Sequence, residues 1–348
     1  MSVGGSTFGD MNPQRSPERR VMDAEFVPRD TDAARRRAAA RAGRVAAGAS
    51  ELEQRLADLL HGGFASSAQA GRGPWEETAA RMIDAQAPGL AAQARELGAT
   101  TGAGADWAAR LLERCALLHT LNRAYLRVDR LPEGLAATVR GRVGITVDTA
   151  ALASSAPPVR DHWLVLSQRD GGDGRLVTRR IWLHGRETGR AALLLSYGAG
   201  GRAPELSLTT GLELEAELLF HPAARPLRAV LADRHAPPAP RAAPPPGGDT
   251  AAALRAYGEA LRDDPWLESW PVVLRDVIPV PDPRLGWQLA DARGDSAISV
   301  DARCDDRRGL WQLAAVSGGE PVTVFGECGH RGFLPLAVWG EELVPLQV

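Results

Sequence analysis

The sequence contains no lysine: all 41 of its basic residues are arginine. This absence excludes a P-loop NTPase, in which a lysine contacts the β- and γ-phosphates. It also excludes enzymes that act through a Schiff-base lysine or a Ser-x-x-Lys nucleophile. The abundance of arginine, alanine, glycine and proline beside this absence is typical of a GC-rich genome. The arginine count is therefore weak evidence for nucleic-acid binding.

Net charge, cysteine and long apolar runs are also scarce. The 41 basic residues face 43 acidic ones, and the net charge of −2 argues against a dedicated polyanion-binding protein. The three cysteines, Cys115, Cys304 and Cys328, are too few and too far apart for a disulfide framework, so we expect a cytoplasmic protein. No apolar run reaches the ~18 residues of a membrane span. The first ten residues lack the pattern of a signal peptide, and we expect none.

The hydrophobic pattern of the sequence predicts an α+β protein with an N-terminal helical bundle. Residues 1–30 have few large apolar side chains, and we predict that they are disordered. Residues 31–131 predict an α-helical domain, because apolar residues recur every three or four positions. The clearest stripe runs from Trp107 to Tyr125. In the first helix, which we expect to end at Gly62-Gly63, four leucines predict a buried face: Leu52, Leu56, Leu59 and Leu60.

Strand patterns dominate the rest of the chain. Residues 132–234 predict an antiparallel β-meander domain, and residues 235–249 predict a proline-rich linker. Residues 250–348 predict a helix followed by a small β-rich domain, either a barrel or a sandwich. In this last region the sequence Trp-Gln-Leu-Ala occurs at 287–290 and again at 311–314. We predict that both copies lie on strands.

One group of residues resembles part of a metal site. Cys328 and His330 form a Cys-x-His pair, which is half of a typical four-ligand zinc site, and Cys304 could add a third ligand. No fourth cysteine is present in the sequence. We therefore favour a buried thiol and a turn histidine, and a metal site remains the alternative.

A second candidate site is a run of arginines near the start of the first predicted helix. It contains five arginines with no acidic residue between them: Arg35, Arg36, Arg37, Arg41 and Arg44. Such a helix could contact phosphates through charge and bidentate hydrogen bonds. No aromatic residue interleaves with the arginines, as single-strand binding would favour. A solvated helix face is the favoured interpretation, and nucleic-acid binding is the first alternative function.

A small-ligand-binding or enzymatic β domain is the second alternative. Five tryptophans fall on predicted strands, where they form either a core or a binding groove: Trp163, Trp182, Trp287, Trp311 and Trp339. The sequence has no Gly-x-Ser-x-Gly elbow and no His-Glu-x-x-His motif, so these two catalytic arrangements are excluded.

Several segments resemble one protein family. The first matching segment is Pro74-Trp-Glu-Glu-Thr-Ala-Ala-Arg-Met-Ile-Asp-Ala-Gln-Ala-Pro-Gly-Leu90, and the last is Phe325-Gly-Glu-Cys-Gly-His-Arg-Gly-Phe-Leu-Pro-Leu336. Between them lie three further matching segments: Pro158–Leu166, Thr178–Leu183 and Asp264–Leu274. Together they resemble the region that follows the zinc finger in bacterial, mainly actinobacterial, SWIM zinc finger family proteins. The resemblance covers about residues 35–348.

The resemblance implies an interaction or regulatory role, and on this ground we expect a protein without enzymatic activity. The family's finger binds zinc through a Cys-x-Cys … Cys-x-His pattern, but this sequence has no Cys-x-Cys and its Cys-x-His lies near the C-terminal end. No zinc ligand can therefore be assigned by resemblance, and we expect no cofactor. Either the finger is lost or it is encoded upstream. Such family members resemble accessory proteins of gene clusters that also encode a MoxR-type AAA ATPase and a von Willebrand factor A-type protein. The resemblance therefore implies that these two proteins are partners.

Overall fold

The computed structural model describes residues 31–104, 106–172, 176–241, 243–284, 286–302, 304 and 307–347. Residues 1–30, which we predicted to be disordered, lie outside the described residues. The chain consists of two compact units, Met1–Ala42 and Gly43–Val348, each defined by the contacts among its own residues. Apart from the first part of α1, every element below lies in the second unit. No helix in these ranges is long and apolar enough to cross a membrane.

The fold is α+β, and the helices come first, as predicted. Those before the first strand are α1 (Thr31–Gly62), α2 (Phe64–Ala70), α3 (Gly73–Asp84), α4 (Pro88–Thr100), α5 (Trp107–Tyr125), α6 (Glu133–Val143) and α7 (Thr149–Ser155). The first six of these helices share a core in which the predicted stripe of α5 is buried: Leu111, Cys115, Leu118, Leu121 and Tyr125. α1 ends at Gly62 as predicted, and Gly63 follows with a positive φ of 76°, which glycine adopts without strain.

Helices continue past residue 131, where we predicted that strands would begin. α6 and α7 occupy the start of the segment 132–234. Pro132 immediately precedes α6, a position where its missing N–H costs nothing because the first amides of a helix have no intrahelical partner. Ala136, Val139 and Val143 then fall on one buried helical face. The helical region therefore extends to Ser155.

The strands after α7 form a closed barrel and not a simple meander. They are β1 (Val159–Gly172), β2 (Leu176–Gly185), β3 (Ala191–Ala199), β4 (Leu212–Phe220), β5 (Arg228–Arg234) and β6 (Ala239–Pro240). β1 pairs with both β2 and β4, so the order β1-β2-β3-β5-β4 returns to β1. All of these pairs are antiparallel except β3–β5, which is parallel. We call this structure barrel 1, and Trp163, Ile181 and Leu214 lie in its core.

A second barrel follows α8 (Thr250–Asp263). Its elements are β7 (Ser269–Asp282), β8 (Gly286–Asp291), β9 (Ala297–Ser299), α9 (Arg307–Ser317), β10 (Val322–Gly329), β11 (Gly332–Trp339) and β12 (Leu343–Pro345). β7 pairs with β8 and β10, and a parallel bridge from Val300 to Phe333 joins the end of β9 to β11. Barrel 2 therefore repeats the strand order of barrel 1, which is the order of OB-fold barrels.

The repeated Trp-Gln-Leu-Ala sequence adopts two different structures. Residues 287–290 lie in β8, as predicted, but residues 311–314 lie in α9, so the second strand prediction is wrong. In α9 the residues Leu310, Leu313 and Ser317 are buried at spacings of three and four, whereas Trp311 is 59% exposed. Helical spacing of the residues around the repeat, and not the repeat itself, decides the structure.

The proline-rich segment 235–249 contacts both barrels. β6 pairs with β4 in barrel 1, and Arg241 N donates to Gly211 O at 3.0 Å. At the other end, Gly248 N donates to Val273 O of β7 at 3.0 Å. The segment is therefore a docked connection along its described length, where the sequence predicted a linker.

The outer faces of the two barrels pack against each other. The cluster between them is apolar and consists of Leu164, Leu166, Trp182, Phe325, Leu336, Ala337, Trp339 and Leu343. Trp182 Nε1 donates to Glu327 Oε1 at 2.9 Å, and Ser269 Oγ donates to Glu327 Oε2 at 2.6 Å. The β1–β2 outer face of barrel 1 is thus an internal surface of the second unit.

Candidate functional site

An apolar groove of about 280 Å³ runs between α1 and α5. Its lining residues are Glu53, Leu56, Ala57 and Leu60 from α1, and Leu112, Cys115, Ala116 and His119 from α5. Each set occupies the i, i+3, i+4 and i+7 positions of its helix, so each helix turns one continuous face to the groove. Two parallel rows of this kind form the surface that a further helix would cover.

The groove has a buried floor and an exposed apolar edge. Leu56 and Cys115 are buried at its base, whereas Leu60 is 53% exposed and Leu112 is 51% exposed. Burial raises the pKa of the Cys115 thiol to about 11, so this side chain stays neutral and adds to the apolar floor. Leu60, which the sequence placed on a buried face, therefore lies half in solvent.

A polar network at one end of the groove connects the two helices. His119 Nδ1 lies 3.0 Å from Glu53 Oε1. Asn122 is fully buried, and its Nδ2 donates to Ala49 O at 2.7 Å and to Glu53 Oε2 at 3.0 Å. Leaving the buried amide of Asn122 without hydrogen-bond partners would cost free energy of folding, so these bonds fix the distance between α1 and α5. The groove is consequently preformed.

Sequence reasoning did not identify this groove. Glu53 and Asn122 belong to no motif, and Leu112 lies next to the apolar stripe of α5 without belonging to it. The one sequence feature that points to the groove is Leu112 itself, an apolar residue of α5 that does not belong to the buried stripe of that helix. That signal is weak, because single exposed leucines are common on protein surfaces.

The arginines of the 35–44 segment lie on α1. Arg35, Arg36 and Arg37 are exposed, and Arg35 Nη1 lies 3.8 Å from Asp32 Oδ1 in a solvated ion pair. Arg41 is half-buried. Arg44 belongs to the second unit, where its Nη2 donates to Gln86 Oε1 at 2.8 Å. The segment thus presents exposed guanidinium groups on a helix.

The candidate metal ligands do not assemble into a site. Cys328 is buried in the core of barrel 2, and burial raises the pKa of its thiol to about 11. His330 lies at the β10–β11 turn, with Nε2 3.7 Å from Glu113 Oε1, and Cys304 is buried beyond β9. Among the described residues no three His, Cys, Asp or Glu side chains are placed to hold a metal ion.

The five strand-predicted tryptophans do not line one groove. Trp163 lies in the core of barrel 1, and Trp182 and Trp339 lie between the barrels. Trp287 and Trp311 form an edge-to-face pair on barrel 2, with ring centroids 5.1 Å apart. Four of the five are therefore partly or fully covered by the protein itself, and Trp311 on α9 is the exposed one.

One comparison identifies the helical region. Residues 40–143 match the model of a SWIM-associated four-helix bundle domain, which covers less than half of the chain and ends at the last residue of α6. Neither the curated proteins nor the solved structures that were compared gave a match. The bundle that carries the groove is therefore similar to a SWIM-associated four-helix bundle domain, and this match supports a SWIM-associated family.

Proposed function

We propose that this protein is a non-enzymatic interaction component, and that the groove between α1 and α5 binds a helix of a partner protein. The observation that carries the proposal is the pair Leu60 and Leu112. These leucines lie on neighbouring helices of a SWIM-associated bundle, each is half exposed, and both line one apolar groove. Exposed apolar surface of this kind marks an interaction site more often than a random surface does.

The shape and chemistry of the groove select the class of partner. Its two rows of residues follow helical spacing, so an amphipathic helix with apolar side chains at i, i+3 or i+4, and i+7 would fill it. Glu53 and His119 form a polar rim at one end and fix the register of that helix. The partner segment is therefore an amphipathic helix with leucine-like anchors.

A non-enzymatic role is supported by the positions of three buried titratable groups, Cys115, Cys328 and Asp161. Cys115 and Cys328 are buried thiols in two different cores. Asp161 is held at the β2–β3 turn by hydrogen bonds from Thr188 and from the backbone. Each of these groups serves a local structural purpose, and they do not converge on a shared cleft as catalytic groups do.

The partner that we favour is a MoxR-type AAA ATPase, working with a von Willebrand factor A-type protein. The sequence resemblance to actinobacterial SWIM zinc finger proteins suggests both, and the match to the SWIM-associated bundle supports the resemblance. A cytoplasmic location fits such a partner, and the three cysteines are free thiols, as a reducing compartment would keep them.

Substitution of the two exposed leucines tests the proposal. We expect Leu60→Gln and Leu112→Gln each to weaken binding of the purified ATPase at least about tenfold, since buried apolar anchors dominate such interfaces. Leu126→Gln is the matched control, because Leu126 is 39% exposed and lies outside the groove. Isothermal titration calorimetry measures the three affinities. Unchanged affinity for the two groove variants would overturn the proposed site.

Nucleic-acid binding through α1 is the second candidate function. It is favoured by the exposed side chains of Arg36 and Arg37, which have no carboxylate partner among the described residues. The barrels give it no support: the β2 outer face of barrel 1 packs on barrel 2, and β8 and β9 present no arginine. Saturable binding of double-stranded DNA at about 50 mM salt, lost in an Arg36→Gln/Arg37→Gln variant, would favour this candidate over the first, and absence of binding at that salt would end it.

A further inference from the structure

A second concave site lies outside the bundle groove, where barrel 1 meets the start of barrel 2. This cleft of about 300 Å³ lies between the β2–β3 turn, the β4–β5 loop and β7. Three of its lining side chains decide its chemistry: Arg190, Arg225 and Trp270. Two arginines on opposite loops give the cleft a positive lining.

The guanidinium of Arg190 lies over an aromatic ring, and its N–H groups remain available to donate hydrogen bonds. Its Cζ lies 3.8 Å from the ring centroid of Phe220, which is buried and packs against Trp163 at 6.1 Å. No carboxylate in the described ranges forms an ion pair with Arg190. A guanidinium that stacks through its face keeps its in-plane N–H donors available for a ligand.

The turn that carries Arg190 is itself rigid. Asp161 is 3% exposed and accepts hydrogen bonds from Glu187 N, Thr188 N and Thr188 Oγ1, all at 2.6–2.9 Å. Gly185 permits this arrangement, because a Cβ there would lie 2.4 Å from Asp161 Oδ2. The position of Arg190 is therefore set before any ligand arrives.

Arg225 is fixed on the opposite side of the cleft. Its Nε donates to Asp263 Oδ2 at 2.7 Å, and its Cζ lies 5.7 Å from the Trp270 ring centroid. Its two terminal nitrogens donate to no group that the structure describes. The loop is anchored to the helical bundle, since Ala224 N donates to Thr138 Oγ1 at 2.9 Å.

We propose that this cleft binds the oxyanion of a small ligand, a phosphate or a carboxylate, between Arg190 and Arg225. Planar guanidinium groups match both oxyanions through paired N–H donors. Because the Phe220 ring holds Arg190, the ion pair with Asp263 holds Arg225 and the loops are anchored, little side-chain entropy is lost on binding. The volume of the cleft is at the low end of small-molecule sites, which suits a small ligand. This site is independent of the proposed partner groove.

Titration of the full chain with inorganic phosphate and, separately, with acetate at constant ionic strength tests the proposal. We expect saturable binding of one anion to one site, and the anion that binds identifies the ligand class. Arg190→Gln and Arg225→Gln should each weaken binding at least about tenfold. Arg202→Gln should leave anion binding unchanged. Arg202 is exposed and lies just after the last residue of β3, whereas the cleft lies at the first residue of that strand, Ala191.

Arg190→Lys is a conservative second variant, in case Arg190→Gln does not fold. It keeps the charge but lacks the planar fork, so it should also bind the anion more weakly than the wild type. Thermal melting verifies that each variant is folded. Absence of saturable binding of both anions up to about 10 mM would overturn the proposal. So would an equal loss of affinity in Arg202→Gln and Arg190→Lys.

Discussion

Arg142 of α6 forms a bidentate ion pair with Asp264, the residue that follows α8. Arg142 Nε lies 3.0 Å from Asp264 Oδ1, and Nη2 lies 2.6 Å from Oδ2. Asp264 is 9% exposed, and its Oδ1 also accepts from Trp266 N at 3.2 Å. The indole of Trp266 in turn donates to Leu117 O of α5 at 3.0 Å. This pair therefore joins the helical bundle to the part of the chain that carries barrel 2.

Removing Arg142 should destabilise the protein. We expect Arg142→Ala to lower the free energy of unfolding by about 1–3 kcal/mol, because the Asp264 carboxylate would stay mostly buried without its charge partner. Arg140→Ala is the control on the same helix: its ion pair with Asp129 is long, at 3.5 Å, and exposed, so its loss should cost at most about 0.5 kcal/mol. Urea unfolding measures both, and equal losses would contradict this account of the interface.

The exposed and buried leucines of the groove should differ sharply in their effect on stability. Leu56→Ala removes a buried side chain and should cost about 2–4 kcal/mol. Leu60→Gln, one helical turn further along, should change the free energy of unfolding by no more than about 0.5 kcal/mol. A large loss in the second variant would mean that Leu60 serves the core and not a partner.

Acid should destabilise barrel 1 through His184. Burial lowers the pKa of His184 below its ordinary value of 6.5, with the Asp161 charge opposing and the Arg241 charge assisting this shift. The unfolded chain then takes up a proton near pH 6.5 that the folded chain does not. Stability is therefore complete above that pH and falls as the pH decreases. Urea unfolding at about pH 7.5 and about pH 5.5 measures the difference.

A pair of variants isolates this effect. His184→Gln should make the stability less dependent on pH over that interval, whereas Gln54→Ala, which removes no titratable group from an exposed position of α1, should leave the dependence unchanged. The same pH dependence in wild type and His184→Gln would show that His184 is not the titrating group.

Glu327 should hold the two barrels together. It accepts hydrogen bonds from Trp182 Nε1, Ser269 Oγ and, at 3.3 Å, Arg180 Nη2. Glu327→Ala leaves the buried indole N–H of Trp182 without a partner, so we expect a loss of about 1–3 kcal/mol in the free energy of unfolding. Glu341→Ala, an exposed control before β12, should cost less than about 0.5 kcal/mol. Comparable losses in the two variants would refute a role for Glu327.

Elements with a long, regular periodicity could be predicted from the sequence. The stripe of α5 and the end of α1 at Gly62 are correct, because helical spacing over five buried positions and a glycine with positive φ leave few alternatives. α6 and α9 could not be predicted as well. In both, short runs of Val, Leu and Ala fit a strand as easily as a helix, and burial against neighbouring elements decides between them.

The closure of the barrels and the groove depend on contacts between distant residues. The parallel pairing of Leu193 with Arg228 closes barrel 1, and no local pattern in the sequence indicates it. Likewise, Leu60 and Leu112 are more than fifty positions apart, and each alone resembles an ordinary surface leucine. Only the packing of α1 against α5, fixed by Asn122 and Glu53, brings them into one surface.

Site-specific photocrosslinking at position 112 tests the central claim most directly. A photoreactive side chain replaces Leu112, and in a second variant it replaces Leu126, which is exposed outside the groove. Each purified variant is irradiated with the MoxR-type ATPase of the same organism. A helix bound between α1 and α5 predicts a crosslink from position 112 to one segment of the ATPase and none from position 126. Equal crosslinking from both positions, or from position 126 alone, would contradict the proposed groove.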